Sequence, residues 1–303
     1  MVVEAMTGRI VVVGSANMDL VVNAPVLPRP GETVLGDRFV TVPGGKGANQ
    51  AIAAARAGGS CVFIGSVGQD TFGEVMRQNL EASGVDVARL RTVPGPSGVA
   101  LIAVDAMAEN LIVVAPGANA ALTRLDVQDR VAIESADVLL CQLETPLPTV
   151  AQAAAAARTA GTTVVLNAAP ARRLPAELLG AVDLLIVNQH EAAVIAGAAL
   201  DQLLALVPRV VMTLGAAGAA YADREGARVE VPAPIVDAVD STAAGDAFTG
   251  ALAVAWAAKR PIGEALRWAC AAGALCATRP GASTSLPTSA DIDDLYRVTY
   301  VLR

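Results

Sequence analysis

The chain has 303 residues, 54% of them hydrophobic, and carries 22 basic against 29 acidic side chains for a net charge of −7. That length allows one large core or two smaller ones, and the acidic balance without a basic cluster counts against a nucleic-acid partner. Mean hydropathy is +0.51, yet alanine, valine and leucine supply most of it, and the longest uncharged helical run near the C-terminus, 247–258, is too short to span a bilayer, so no membrane association is expected.

At the N-terminus, MVVEAMTGR lacks a basic region or a long apolar stretch, so no secretory signal is expected. The first strand-like run is RIVVVGS, and the others follow as CVFIGSVG, DVLLCQLE, TTVVLNAAP, DLLIVNQ and RVVMTLG. All are continuously apolar rather than alternating, as parallel strands covered on both faces should be. Helical patterns lie between and after them: KGANQAIAAARAG, DTFGEVMRQNLEASG, PLPTVAQAAAAARTAG, GDAFTGALAVAWAAK and IGEALRWACAAGALCAT. This alternation predicts an α/β fold, a doubly wound, mostly parallel sheet flanked by helices. Two regions, 19–45 and 91–117, instead hold alternating runs split by Pro/Gly turns and read as antiparallel hairpin material, a small accessory sheet made from two segments. The cysteines Cys61, Cys141, Cys270 and Cys276 sit in apolar runs without CxxC spacing. They read as buried reduced thiols of a cytoplasmic protein, not as a zinc site or a disulfide framework.

Polar residues cluster at the predicted carboxyl ends of the strands: Asn17 and Asp19 after VVVGSA, Glu144 after VLLCQL, Asn167, Asn188 with Glu191 one helical turn on, and Thr213 with Gly215. One such residue is an ordinary turn former; several at one sheet edge would converge on a ligand cleft. VPGGKGANQA is neither a P-loop, which needs Ser or Thr after its lysine, nor a dinucleotide loop. Gly44 and Gly45 are a turn before a helix, or they let a hydroxylated ligand approach beside Lys46 and Asn49. DAVDSTAAGDAFTG, 237–250, places Asp240 and Asp246 around tiny residues where a helix begins. An acid there is a helix cap, or it takes a proton from a hydroxyl while the bare amides of Ala243, Ala244 and Gly245 hold phosphate oxygens. No GxSxG or HExxH is present and His190 is the one histidine, so hydrolase chemistry has little support.

Taken in order, VVVGSANMDLVV, PGETV, GGKGANQA, GANAAL, NAAPAR, DLLIVNQHEA, VMTLG, DSTAAGDAFTGAL and ATRPGASTSLP resemble the ribokinase-like carbohydrate kinase family across essentially the whole chain. The resemblance implies a single domain over 1–303 with a small β-sheet lid formed by about 19–43 and 91–116. It implies ATP-dependent phosphorylation of a primary sugar hydroxyl, O5 for D-ribose, giving ribose 5-phosphate; the alternative is a kinase of the same family acting on deoxyribose, another sugar or a nucleoside. Asp246 is then similar to the catalytic base, with Ala243, Ala244 and Gly245 as the anion hole. Asn17, Asp19, Gly45, Lys46, Asn49 and Glu144 match the positions that hold sugar hydroxyls. Asn188 and Glu191 match an element near the phosphates and Mg²⁺, and Thr213, Gly215, Gly218 and Cys270 fall on the nucleotide side. K⁺ ligands would fall at Asp240, Thr242, Cys276, Arg279, Gly281 and Ser285, several through carbonyls. The lid implies a homodimer contact. Two departures from the family pattern are a segment after Glu191 shorter by most of a helix and Cys270 where a polar residue is usual.

Overall fold

Ile10 and Val12 point to one side of their strand and Val11 and Val13 to the other, and all four are buried. A strand buried on both faces needs a layer on each, which is why its sequence does not alternate. The computed structural model of the chain describes residues 8–107, 109–197 and 199–302; residues 1–7 of the stretch read for a secretory signal lie outside the described residues.

Thirteen strands form among the described residues: β1 (Arg9–Val13), β2 (Asn17–Asn23), β3 (Arg38–Gly44), β4 (Ser60–Gly68), β5 (Leu90–Val93), β6 (Gly98–Val104), β7 (Asn110–Ala115), β8 (Val138–Cys141), β9 (Thr163–Asn167), β10 (Leu184–Asn188), β11 (Arg209–Thr213), β12 (Ala219–Asp223) and β13 (Arg228–Val231). Nine make one sheet in the order β13-β12-β11-β10-β9-β8-β1-β4-β5. From β11 to β5 every pairing is parallel, while β12 and β13 add an antiparallel edge. The strand order reverses between β1 and β8, and an open α/β sheet binds ligands beyond the carboxyl ends at such a point.

The long helices are α1 (Lys46–Arg56), α2 (Thr71–Ala82), α3 (Val127–Glu134) and α4 (Leu147–Ala160). Three short ones follow, α5 (Ala176–Leu179), α6 (Gln189–Ile195) and α7 (Leu200–Leu204), then α8 (Ala244–Ala257), α9 (Ile262–Ala277) and α10 (Ser289–Tyr296). The shortened stretch after Glu191 is thus folded as α6 and α7. α1, α8 and α9 pack on one face around Phe63, Leu252, Leu266 and Trp268, all fully buried; Val150, Leu178 and Leu203 fill the other. Each such side chain contributes about 1.5–3 kcal/mol relative to exposure.

The second sheet has the order β3-β2-β6-β7. β2–β3 and β6–β7 are antiparallel, as the turn-rich sequence predicts, but the two segments join through a parallel β2–β6 pair. β5, read with the second hairpin region, joins the edge of the large sheet instead. Alternation along β2 puts Asn17 and Asp19 on one face, while Met18 turns into the core between them.

Candidate active site

Gly45 is the N-cap of α1 with φ 90°, a conformation that suits glycine. The first amides of α1 are met from outside the helix: Lys46 N–H donates to Glu144 Oε2 at 3.1 Å, Gly47 N–H to Ser15 Oγ at 3.3 Å and Ala48 N–H to Ser15 O at 2.8 Å. Ser15 also donates to Glu144 Oε2 at 2.5 Å. Glu144 therefore caps the positive end of a helix with one oxygen and keeps Oε1 for another partner. Asn119 donates from Nδ2 to Ala16 O at 3.1 Å and to Asn17 Oδ1 at 2.7 Å, and accepts from Ala16 N–H at 2.9 Å. That fixes the Asn17 amide with its NH₂ toward Glu144 Oε2, 3.5 Å away.

The Asp19 carboxylate accepts no hydrogen bond from the described residues. Burial, with Glu144 and Asp246 nearby and Lys46 only partly compensating, pushes its carboxyl up to about 7. Burial alone would lower the Lys46 ammonium, but Asp246, Glu144, Glu191 and Asp19 together hold it above its ordinary value. A single cation thus serves four carboxylates, with no close ion pair to any of them among the described residues.

Asp246 lies in the first turn of α8 and is buried. Its Oδ1 accepts from Gln50 Nε2 at 2.8 Å and its Oδ2 from Asn49 Nδ2 at 3.1 Å. Burial pushes this carboxyl up, against the pull of Lys46 and of the two amides. The α8 N-cap is Ala243 at φ 61°, left-handed for a residue with a Cβ, a strain found where a loop is held for function. The Ala244 amide is taken by Ser241 O at 3.1 Å, so of the expected anion-hole trio the open amides among the described residues are those of Ala243 and Gly245. A Cβ at Gly245 would meet nothing within 4 Å. Neither packing nor dihedral demands glycine there, and its bare face opens onto a cavity.

That cavity, about 210 Å³, is bounded by Lys46, Asn167, Asn188, Glu191, Thr213, Ala243, Gly245 and Asp246. Through Thr213, Ser241 and Gly245 it adjoins a larger one of about 510 Å³, whose wall includes Gly215, Gly218, Ile235, Phe248 and Cys270. The Cys270 thiol is pushed up to about 12 by burial and offers the cavity a neutral, weakly polar surface. Asn188 and Glu191 form a reciprocal capping box on α6, each bond 2.8 Å, which leaves Asn188 Nδ2 and Glu191 Oε1 for a ligand. Burial raises the Glu191 carboxyl, opposed by the Asn188 N–H and Lys46. Asn17, Asp19, Gly45, Asn49 and Glu144 line neither cavity; they gather around Lys46 at the small sheet.

The other predicted set also meets. Asp240 accepts from Thr242 N–H and from Gly281 N–H, both at 2.9 Å, and Cys276 Sγ lies 3.5 Å from Thr242 O and 3.0 Å from Ser285 Oγ. The Arg279 guanidinium turns to Asp291 at 3.5 Å, so only its backbone belongs to this loop pair. Sequence reasoning missed Ser15, Gln50, Asn119 and Gln142 as site residues; a glutamine ending the apolar run DVLLCQ is the one signal that pointed there.

The family described as pfkB family carbohydrate kinase matches residues 7–289. The chain is 39% identical over 290 residues to the ribokinase of Haemophilus influenzae, covering 91% of this chain and 94% of that one. To the ribokinase of Bacillus subtilis it is 40% identical over 290 residues, covering 94% and 98%. The structure of Arabidopsis thaliana ribokinase complexed with ribose and ATP superposes with a TM-score of 0.89 at 31% identity, covering 96% of this chain and 99% of that one.

Proposed function

The chain belongs to the pfkB family of carbohydrate kinases, and from that premise we propose that it carries the γ-phosphoryl group of ATP to O5 of D-ribose. The observation that carries this reading is Asp246: a buried carboxylate one residue past a side-chain-free amide, facing a cavity continuous with a larger apolar one. The larger cavity takes the base and ribose of the nucleotide, and the smaller one takes the phosphates. Asn17, Asp19, Lys46, Asn49 and Glu144 take the sugar, with Asp19 as a free acceptor for two adjacent hydroxyls.

In the reaction the sugar O–H bond breaks and its proton passes to Asp246. The oxygen lone pair forms the new O–P bond, and the electrons of the broken P–O bond leave on ADP. The Ala243 and Gly245 amides and the positive end of α8 stabilise charge on the transferring group, where phosphoryl transfer has most need of help.

The donor set fits a divalent ion carried mainly by the nucleotide. Glu191 Oε1 and Asn188 are the protein groups at the cavity, and Mg²⁺ keeps most of its water in such sites, where it offsets phosphate charge. K⁺ fits the pair of loops held by Asp240. Burial alone would raise that carboxyl, yet bonds from Thr242 and Gly281 hold it below the ordinary range, an anion in place beneath the anion hole. The family lid corresponds to β2, β3, β6 and β7. Phe39, Leu101, Leu111, Ile112 and Val113 leave half or more of their surface in solvent, which supports a homodimer through this sheet. No helix among the described residues is long and apolar enough to cross a membrane, and four reduced, buried cysteines support a cytoplasmic enzyme.

The test is ADP release with pentoses, hexoses and nucleosides under ATP and Mg²⁺, in K⁺ and then in Na⁺. Ribose is expected to give the highest kcat/KM, with K⁺ above Na⁺. A screen led by deoxyribose or a nucleoside would reassign the acceptor, and tight ribose binding with no ADP would remove the kinase reading.

A further inference from the structure

Gln50 is fully buried on α1, four residues past Lys46. Its Nε2 donates to Asp246 Oδ1 at 2.8 Å and to Asn167 Oδ1 at 2.9 Å, and its Oε1 accepts from Gln142 Nε2 at 2.6 Å. Asn167 in turn donates from Nδ2 to Ile186 O at 3.3 Å. The four residues come from α1, α8 and the carboxyl ends of β8 and β9.

This network has one allowed polarity. An anionic Asp246 needs the NH₂ group of Gln50, and turning that amide over would set oxygen against oxygen at both Asp246 and Asn167, and nitrogen against nitrogen at Gln142. Asn167 is fixed the same way by a carbonyl that can only accept. Gln142 lines neither cavity, and its own Oε1 has no partner among the described residues. A buried amide left half satisfied is costly, so its retained bond to Gln50 points to a job. Asn49, the next residue back, holds Asp246 Oδ2, and its Oδ1 is likewise buried and without a partner on the described protein.

We propose that Gln50, oriented by Gln142 and Asn167, is a positioning residue that fixes the plane of the Asp246 carboxylate and reserves Oδ2 for the substrate proton. The inference rests on Asp246 being the base. Oδ1 is turned toward the fully buried Gln50 amide and accepts from it at 2.8 Å. Oδ2 lies on the Asn49 side, among the sugar-binding residues, and accepts the longer bond there, 3.1 Å, which leaves it a lone pair for the substrate hydroxyl. Losing Gln50 frees the carboxylate to rotate, which affects the chemical step far more than ground-state binding.

The experiment compares kcat and KM for ribose and for ATP in Gln50→Leu, Gln142→Leu and the double variant, each checked for folding by circular dichroism and thermal unfolding. Gln50→Leu should lose about 10–100-fold in kcat with both KM values within about twofold. Gln142→Leu, remote from both ligands, should lose kcat in the same direction, and the double variant should lose no more than Gln50→Leu, as residues acting through one contact do. A folded Gln50→Leu protein with unchanged kcat, or one that loses only through KM, overturns the proposal. If Gln50→Leu does not fold, unchanged kcat in Gln142→Leu overturns it alone. An inactive Asp246→Asn beside a normal Gln50→Leu would sink only this inference; activity surviving in Asp246→Asn would sink the base and the inference together.

Discussion

The carboxylate of Asp19 lies directly over Gly44, so closely that a Cβ at position 44 would overlap Asp19 Oδ2. Across the β2–β3 ladder Gly44 stands opposite Asn17 and Asp19 opposite Val42, so Asp19 reaches Gly44 as its diagonal neighbour. Gly44→Ala should push the carboxylate out of line and raise the KM for ribose at least tenfold, with a smaller effect on the KM for ATP. Ribose titration by calorimetry checks it; unchanged ribose affinity would mean that Asp19 does not touch the sugar.

Asp19 also sets a pH dependence. Its carboxyl titrates at about 7 in the folded protein against 3.8 ordinarily, and only the ionised form accepts from two hydroxyls. kcat/KM for ribose should therefore rise as pH passes through about 7, since that ratio reports groups of the free enzyme. The sign for stability is opposite. Between 3.8 and about 7 the folded state holds a proton that the unfolded state has released, so stability is full below this window and is lost as pH rises through it. Asp19→Asn should unfold at a higher temperature than wild type at pH 8, with the gap closing toward pH 4.

Asp246→Asn removes the proton acceptor while keeping shape and the bond from Gln50, with Asn49 turning its unpartnered Oδ1 to the new NH₂. Turnover should fall about 10²–10⁴-fold with the fold intact. Steady-state kinetics beside circular dichroism checks this, and near-normal turnover would take Asp246 out of the reaction.

Gly245→Ala separates function from stability. Nothing in the protein lies within 4 Å of the added methyl, and replacing glycine in a first helical turn stabilises by up to about 1 kcal/mol. The thermal midpoint should hold or rise while the KM for ATP increases and kcat falls, because the methyl occupies phosphate space. Kinetics unchanged in ATP would show that the phosphates do not pass Gly245.

Much of this architecture is legible in the sequence because burial on both faces of a parallel sheet leaves unbroken apolar runs, as in RIVVVGS and DLLIVNQ. β12 and β13 are not, since AAYAD and RVEV are short and carry little β-rich pattern. Nor is the parallel β2–β6 pairing, which joins segments some eighty residues apart and follows from the fold as a whole. Site residues at strand ends stand out as polar breaks in apolar text. Gln50 does not: within an alanine-rich helix a glutamine is an ordinary helix former, and its meaning appears only once β8, β9 and α8 bring Gln142, Asn167 and Asp246 beside it. Asn188 and Glu191 show the converse, one spacing serving both a capping box and a ligand-facing pair.

Gly250 lets α8 settle against α1, where any Cβ would stand 2.6 Å from that of Ala53 and 2.8 Å from the Ala54 nitrogen. The proton acceptor rides on one of these helices and its amide clamps on the other, so their seam is the keel of the catalytic apparatus. A methyl wedged into that seam would silence turnover from a place no substrate ever reaches.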